Sequence, residues 1–435
     1  MRLPSDGQEC HPFHARMVKM WQRSGESAAD SEGVTPLRRS SMAYSVLNAL
    51  AGIVVMSTLL IASCSDGGPN GPDPESVATG KEIFRFDTFG DEKFWTDTLR
   101  MHEVIQKAVT PAVALSVGLK VDADALPEAV KSAIAAGQVD LNSTATTLAL
   151  LKLNAVVGVK GDVQNVNGKD TLMRVGITCA LCHSSVDNSF APGIGSRRDG
   201  WANVDLNPGA IVGLSPALTP GQRAVYNSWG KGHYDPRFNI DGKNTPIVIP
   251  PAYGLIGVSK ETFTAEGPVS YWNAYVAVTQ MHGQGTFRDP RLNINVVQEP
   301  DLVTPKLAAL RDYQLSLSAP VAAITLDAGA VARGREVFTG AANCSSCHSG
   351  AILSDVNRGR LHAASETGMD PRYAERTSQK AYRTTPLRGL LQHPPYFHDG
   401  SAATLEDVVA HYQQYLKLSL TSQQRADLIE YLKSL

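Results

Sequence analysis

The sequence is poor in several things that would each have pointed elsewhere. It has no excess of basic residues: 40 Lys and Arg stand against 42 Asp and Glu, for a net charge of −2. That balance argues against a nucleic-acid partner, which calls for a basic face. The acidic residues are scattered, so there is no acidic tail. Few segments alternate apolar and polar residues, so little of the chain reads as strand. Cysteine is scarce too, with six in 435 residues. A chain this long builds a core without staples, so a disulfide framework is not needed to explain them. Length and ordinary globular composition predict two or three domains.

What the few cysteines do instead follows from their spacing. Four of them form two pentapeptides, Cys179-Ala180-Leu181-Cys182-His183 and Cys344-Ser345-Ser346-Cys347-His348. Two thiols three positions apart can each bond a vinyl group of one haem, and the adjacent imidazole then reaches the iron. A zinc site made from both cysteine pairs is the alternative, but it leaves a histidine directly after each pair unexplained. The reading is therefore two covalently bound c-type haems, attached at Cys179, Cys182, Cys344 and Cys347, with His183 and His348 as proximal ligands.

The one long apolar run, Met42 to Ile61, follows Arg38 and Arg39 and leads into Ala62-Ser63-Cys64. A basic flank, an apolar stretch and small residues describe a secretory signal, and the ending resembles the bacterial lipobox. That resemblance implies cleavage before Cys64, lipidation of its thiol, and anchoring on the periplasmic side, with Ser65 favouring the outer membrane. An uncleaved membrane-spanning helix is the alternative, since about 20 apolar residues can cross a bilayer. Residues 1–33 sit oddly before such a signal, and Val34 or Met42 is a plausible true start. Cys10, His11 and His14 would leave with it. Residues 64–75, rich in Gly, Pro and polar side chains, read as a tether.

The remainder reads as one design used twice. The stretch 327–338 has helical apolar spacing and leads into the second haem loop. Thr421 and Gln424 form a capping box that opens a helix running to Leu435. Its ending, Tyr431-Leu432-Lys433-Ser434-Leu435, is echoed by Tyr313-Gln314-Leu315-Ser316-Leu317, and Thr385-Pro386 is echoed by Thr245-Pro246. Domain boundaries follow at 76–318 and 319–435. The extra length of the first domain, 76–170, reads as largely helical, including 126–136 and 144–156. The Gly- and Pro-rich stretch 192–268 reads as loops. The predicted fold is mostly α: two cytochrome c-like haem domains with long irregular loops, the first enlarged.

The second half also carries Arg383-Thr384-Thr385-Pro386-Leu387-Arg388-Gly389, Pro395-Tyr396-Phe397-His398-Asp399-Gly400-Ser401 and Thr404-Leu405-Glu406, followed by Val408-Val409-Ala410-His411-Tyr412. These runs resemble the bacterial di-haem cytochrome c peroxidase/MauG family. In that family the residue fourteen positions after the histidine of the His-Asp-Gly motif ligates the second iron. It is Met in the peroxidases and Tyr in the MauG branch, and here it is Tyr412. Met369 and His411 compete for the place. In the first half the match is local. The family's bridging Trp falls on Ala265, leaving Trp272 as a substitute conduit. The stretch 278–285 lacks the family's distal acid and offers Gln280, Met281, His282 and Gln284. A distal His can close the sixth coordination position or serve as a base, and His282 and Gln280 are the expected catalytic pair. That these residues merely pack is the bland alternative.

The resemblance further implies Ca²⁺ between the domains, at places matching Asn244, His393 and Pro395, and a homodimer. The activity it implies is a peroxidase-like oxidoreductase served by a periplasmic redox partner. A pure electron-transfer cytochrome and, more remotely, a haem oxygenase are the competing readings.

Overall fold

The structure is a computed structural model and describes residues 72–435. The apolar run, Cys64 and most of the tether lie outside the described residues. Within them no helix is long and apolar enough to cross a membrane.

Eight elements position the sites. Helix α1 spans Pro74–Phe86 and α2 spans Thr144–Lys152. Strands β1, Val159–Val166, and β2, Lys169–Ile177, form an antiparallel hairpin. Helix α3 spans Leu307–Ser316, α4 spans Ala328–Thr339, α5 spans Leu405–Tyr415 and α6 spans Ser422–Lys433. Helices outweigh strands, and each sheet among the described residues has only two strands.

The helix starts are written in the sequence. Asp73 accepts from the Ser76 amide ahead of α1, with Pro74 at the first helical position. Asp327 accepts from Gly329 and Ala330 at α4. Thr404 with Asp407 opens α5, and Thr421 with Gln424 opens α6, both as reciprocal capping boxes. Each satisfies backbone donors that would otherwise be orphaned.

Two helix crossings repeat each other. In α4 and α6, Gly334 lies so close to the partner backbone that an added Cβ would enter the carbonyl oxygen of Asp427 and stand 2.8 Å from the Tyr431 Cβ. In α1 and α3, a Cβ on Gly80 would meet the Ala309 carbonyl in the same way and stand 2.7 Å from the Tyr313 Cβ. Four residues after each glycine a phenylalanine meets a tyrosine edge-on. Phe338 lies 5.2 Å from Tyr431 and Phe84 lies 5.4 Å from Tyr313, ring centre to ring centre. The sequence signal is a further echo, Gly80-Lys81-Glu82-Ile83-Phe84 against Gly334-Arg335-Glu336-Val337-Phe338.

The stretch 76–170 is largely helical as expected, with further helices at Met101–Ala108 and Pro111–Ser116, and it departs from that expectation at its end. Helices Glu128–Ala135 and Thr144–Lys152 form about where they were predicted. The following segment is the β1–β2 hairpin. Its turn is Asn167-Gly168, both with positive φ (53° and 80°), the sequence and geometry of a tight hairpin turn. That dipeptide, flanked by Val163 and Val166 on one side and Leu172 on the other, was the available signal. The hairpin's inner face joins α2 in a cluster that includes Leu148, Leu151, Leu172 and Val175.

Two other clusters hold the motif regions. One gathers Phe84, Trp272, Tyr275, Met281, Leu310 and Tyr313 around Ala180. The other gathers Val337, Phe338, Leu405, Val409, Leu428 and Leu432, with Cys344 against it. Each such fully buried side chain contributes about 1.5–3 kcal/mol. A buried guanidinium, Arg376, ties the loop after α4 to the chain near residue 240, bonding Asp235 at 2.8 and 2.9 Å and Asp241 at 2.8 Å.

Gly334→Ala is expected to destabilise the protein by about 1–3 kcal/mol through overpacking. Urea denaturation followed by circular dichroism measures it, and an unchanged midpoint would mean the crossing is looser than described.

Candidate haem sites

Each Cys-x-x-Cys-His segment lies in sequence between the two helices of a crossing. Cys344–Ser346 form a single helical turn just after α4, and the His348 amide donates to the Cys344 carbonyl at 2.9 Å. Ala180–His183 form the corresponding turn after the hairpin. None of the four motif cysteines is paired in a disulfide. Burial pushes Cys179 and Cys182 up to about 12 and Cys344 up to about 11, so each is a neutral thiol.

The two histidines are prepared alike. Nδ1 of His183 lies 3.0 Å from the Pro250 carbonyl oxygen, and Nδ1 of His348 lies 3.0 Å from the Leu353 carbonyl oxygen. A carbonyl only accepts, so Nδ1 carries the hydrogen in both and Nε2 keeps a free lone pair. Burial lowers His183 to about 4 and also lowers His348, so both rings are neutral near neutral pH. A buried, neutral imidazole oriented through Nδ1 is what a metal ligand needs.

Beside the first motif, Asp199 gathers three donors. They are Ser184 Oγ at 2.7 Å, Arg85 Nε at 2.5 Å and the Tyr313 hydroxyl. These come from the end of the motif, from α1 and from α3, so the clamp locks the haem loop to the crossing.

In the C-terminal region one cavity of about 320 Å³ is lined by Cys344, Cys347, His348, Met369 and Tyr412 together, a volume in the range of cofactor sites. Its wall is largely apolar, with Phe338, Leu405, Val409 and Leu428 among the lining residues. It also presents Arg383, a buried cation whose Nη1 has no partner. A haem's flat apolar body and acidic propionates match those features, so the residues present fit the group. Tyr412 is pushed up to about 12 by burial, with Cys344 and Cys347 adding to the shift. Coordination as phenolate would require the charge of a bound metal to overcome that. His411 is turned elsewhere: its Nε2 donates to the Thr367 carbonyl at 2.8 Å. Together with Tyr415, whose hydroxyl donates to the Ser365 carbonyl, it pins α5 against the segment carrying Met369.

In the first half the predicted distal residues separate. The chain makes a π-helical turn at Val276–Gln280, and His282 follows with φ +65°. Both features concentrate at functional places. Met281 is buried in the cluster that holds Ala180, with Cys179 packed against it. His282 is buried against the Phe94 ring, 3.9 Å between centres, and burial lowers it to about 3. Gln280 turns to Asn239 Oδ1, 3.1 Å from its Nε2, and Gln284 donates to the Pro300 carbonyl. Trp272 is buried, donates to the Glu261 carbonyl at 3.1 Å and lies edge-on to Tyr275 at 5.4 Å. Of the Ca²⁺ places, Asn244 is engaged by Trp229 and Ser228, while His393 and Pro395 line the C-terminal cavity.

Sequence reasoning missed three contributors. Asp199 carries no motif. Asp355 and His362 stand near Cys347, with His362 bridging Asp355 at 3.1 Å and Glu366 at 2.9 Å. The His362–Glu366 spacing of four was the one local hint.

Residues 331–435 match the family model described as cytochrome c. The methylamine utilization protein MauG of Methylorubrum extorquens is 32% identical over 127 residues, 24% of this chain and 33% of MauG. The chain thus spans a third of the length of that curated relative. Among solved structures, hydrazine synthase of Kuenenia stuttgartiensis aligns with a TM-score of 0.32 at 20% identity, covering 44% of this chain and 73% of that one. A MauG-like protein associated with microbial copper homeostasis aligns with a TM-score of 0.24 at 23% identity, covering 31% and 54%. The C-terminal region is a cytochrome c domain with MauG as a homologue, which implies a covalently bound c-type haem there.

Replacing Cys344 and Cys347 together by Ala is expected to remove the mass of one haem from the denatured chain. Intact mass spectrometry reads this directly, and an unchanged mass would place the attachment elsewhere.

Proposed function

We propose that this chain is an exported di-haem c-type cytochrome working as a peroxidase-like oxidoreductase. In this reading residues 76–318 and 319–435 each hold one haem. The C-terminal site passes electrons to or from the N-terminal site, where peroxide or another oxidant is handled. The observation that carries the reading is the repetition of one arrangement around both motifs. The two helices of a glycine crossing with its Phe–Tyr contact flank each Cys-x-x-Cys-His in sequence, and each His donates its Nδ1–H to a carbonyl. The stretch 87–178, inserted between α1 and Cys179, is then what enlarges the first domain.

The roles follow from the side chains. His183 and His348 offer Nε2 to iron, and Tyr412 faces the C-terminal cavity from α5 with Met369 as its rival. The haem, when bound, supplies the one-electron chemistry. At the first site, His282 is neutral well below physiological pH. The burial that keeps it neutral also makes it a weak base, since a general base works best with a pKa near the operating pH. That observation favours the second reading, a pure electron carrier in which His282 or Met281 closes the first site. A haem-dependent oxygenase remains the more distant alternative. Export, the lipid anchor at Cys64 on the periplasmic side, a periplasmic redox partner, Ca²⁺ and a homodimer belong to this proposal on the grounds given by the sequence.

Electron paramagnetic resonance of the fully ferric and half-reduced protein tests the first reading. A high-spin ferric signal in either state is expected, because one site is open or weakly held. Two low-spin signals in both states would give the electron-carrier reading precedence. Intact mass of a Cys179→Ala, Cys182→Ala variant is expected to fall by one haem while the C-terminal haem remains.

Two further outcomes follow. Because burial holds His282 at about 3, it stays neutral from pH 5 to 8. The spin state of the first site should not change across that window, and a transition inside it would assign the ligand elsewhere. Tyr412→Phe should raise the C-terminal reduction potential, because an anionic ligand favours ferric iron, whereas Met369→Leu should leave it in place. Spectroelectrochemistry distinguishes the two, and the reverse result makes Met369 the ligand.

A further inference from the structure

The C-terminal cavity has a polar corner that none of the ligand roles uses. Glu261, Thr262 and Arg383 line it. Glu261 is 6% exposed, and the Arg383 side chain is 9% exposed. Three polar atoms here have no hydrogen-bond partner: Glu261 Oε1, Thr262 Oγ1 and Arg383 Nη1. Buried groups of this kind are rarely left unsatisfied, and a buried cation least of all. Arg383 is held in place by its Nε–H donating to the Thr262 carbonyl and its amide donating to the Phe263 carbonyl at 2.9 Å. Its nearest carboxylate oxygen, Glu261 Oε2, stands 3.7 Å from Nη2, beyond hydrogen-bond length. Arg388 cannot take over, because its Nη1 already donates to the Gly254 and Ile256 carbonyls. Thr262 is β-branched yet sits at φ +59°, a strained conformation that persists where a site demands it. A guanidinium N–H and a hydroxyl, both fixed and both without an acceptor, describe a site for an anionic oxygen pair.

We propose that Arg383 and Thr262 form a carboxylate site that receives a propionate of the C-terminal haem, with Glu261 as the proton-bearing neighbour of that carboxylate. This rests on the reading that the cavity holds a haem. Two carboxyl groups beside one guanidinium cannot both be charged at low cost, so Glu261 keeps its proton while the propionate pairs with Arg383. The consequence is a proton coupled to the electron. When the domain takes up one electron, delivered in the test by an electrode, the added negative charge favours protonated Glu261. Where Glu261 is ionised it then takes a proton from the buffer, forming an O–H bond, and where it is already protonated it takes none, so each electron brings in at most one proton.

The sign is set by burial, which raises the Glu261 carboxyl to about 7 against the pull of Arg383 and Arg388. Arg383 and Arg388 are the charged groups facing it. Of the other titratable groups lining the cavity, burial holds His393 and His398 low and Tyr253, Tyr382, Tyr396 and Tyr412 high. His348 is likewise lowered, and His362 is paired with Asp355 and Glu366. Reduction strengthens proton binding, and by reciprocity proton loss disfavours reduction. The C-terminal potential should therefore fall as pH rises through neutrality.

The test is spectroelectrochemistry of the holoprotein from pH 5.5 to 8.5, with intact mass first establishing that haem is attached. The wild type is expected to show the falling potential. Glu261→Gln, with Glu261→Met as a second variant should the first fold poorly, is expected to lose that slope. A slope that survives in Glu261→Gln but vanishes in His362→Gln would overturn the assignment, as would a flat wild-type profile. Excess acetate should leave the slope unchanged. A slope that moves with acetate would mean the site takes a free carboxylate and would overturn the propionate assignment. A chain carrying no haem would sink the functional reading itself, which the mass reports separately.

Discussion

Where α4 meets α6, two backbones touch because Gly334 has no side chain, and much of the C-terminal region depends on that approach. It brings Phe338 and Tyr431 into edge contact, closes the cluster that includes Val337, Leu428 and Leu432, and sets the direction in which the chain leaves α4. The chain then enters the helical turn carrying Cys344, Cys347 and His348. The same approach at Gly80 brings α1 against α3, with Arg85 and Tyr313 reaching Asp199 behind the first motif. Close helix packing of this kind positions a site on rigid elements, where ligand atoms can be held within the tolerance that coordination demands.

Desolvation is the second organising force. It keeps His183 and His282 neutral, keeps the thiols of Cys179, Cys182 and Cys344 and the phenol of Tyr412 protonated, and raises Glu261 into the neutral range. One physical cause thus has different chemical consequences. A neutral imidazole is ready to bind metal, a protonated phenol needs a metal's charge before it can, and a carboxyl near neutrality can exchange its proton. Neutral imidazoles at His183 and His282 are equally compatible with a closed electron carrier and with a site that must open to act. Spin state is therefore more informative about function than any feature of the fold.

The features legible in advance were local ones. The two Cys-x-x-Cys-His pentapeptides, the capping box at Thr421 and Gln424, the helices near 128–135 and 144–152, and the choice of Tyr412 and Met369 as rivals all rest on spacing within a dozen residues or on motif. The Asn167-Gly168 hairpin and the Gly80/Gly334 echo were equally local and equally readable. Helical periodicity and helix endings do not reveal them, because a two-residue turn and a lone glycine leave no periodic trace. Asp199 could not have been found this way, since its donors Arg85, Ser184 and Tyr313 come from three distant parts of the chain.

The sequence by itself determined which atoms can bond a haem and where the helices begin, because thiol spacing, imidazole placement and caps act over one or two turns of chain. Only the tertiary structure decided the rest. It chose the carbonyl that takes each imidazole proton, placed Met369 and Tyr412 on one cavity while turning His411 aside, and left one nitrogen of Arg383, Nη1, without a hydrogen-bond partner. Those outcomes depend on which distant segments exclude water together, and burial is a property of the packed molecule rather than of any stretch of it.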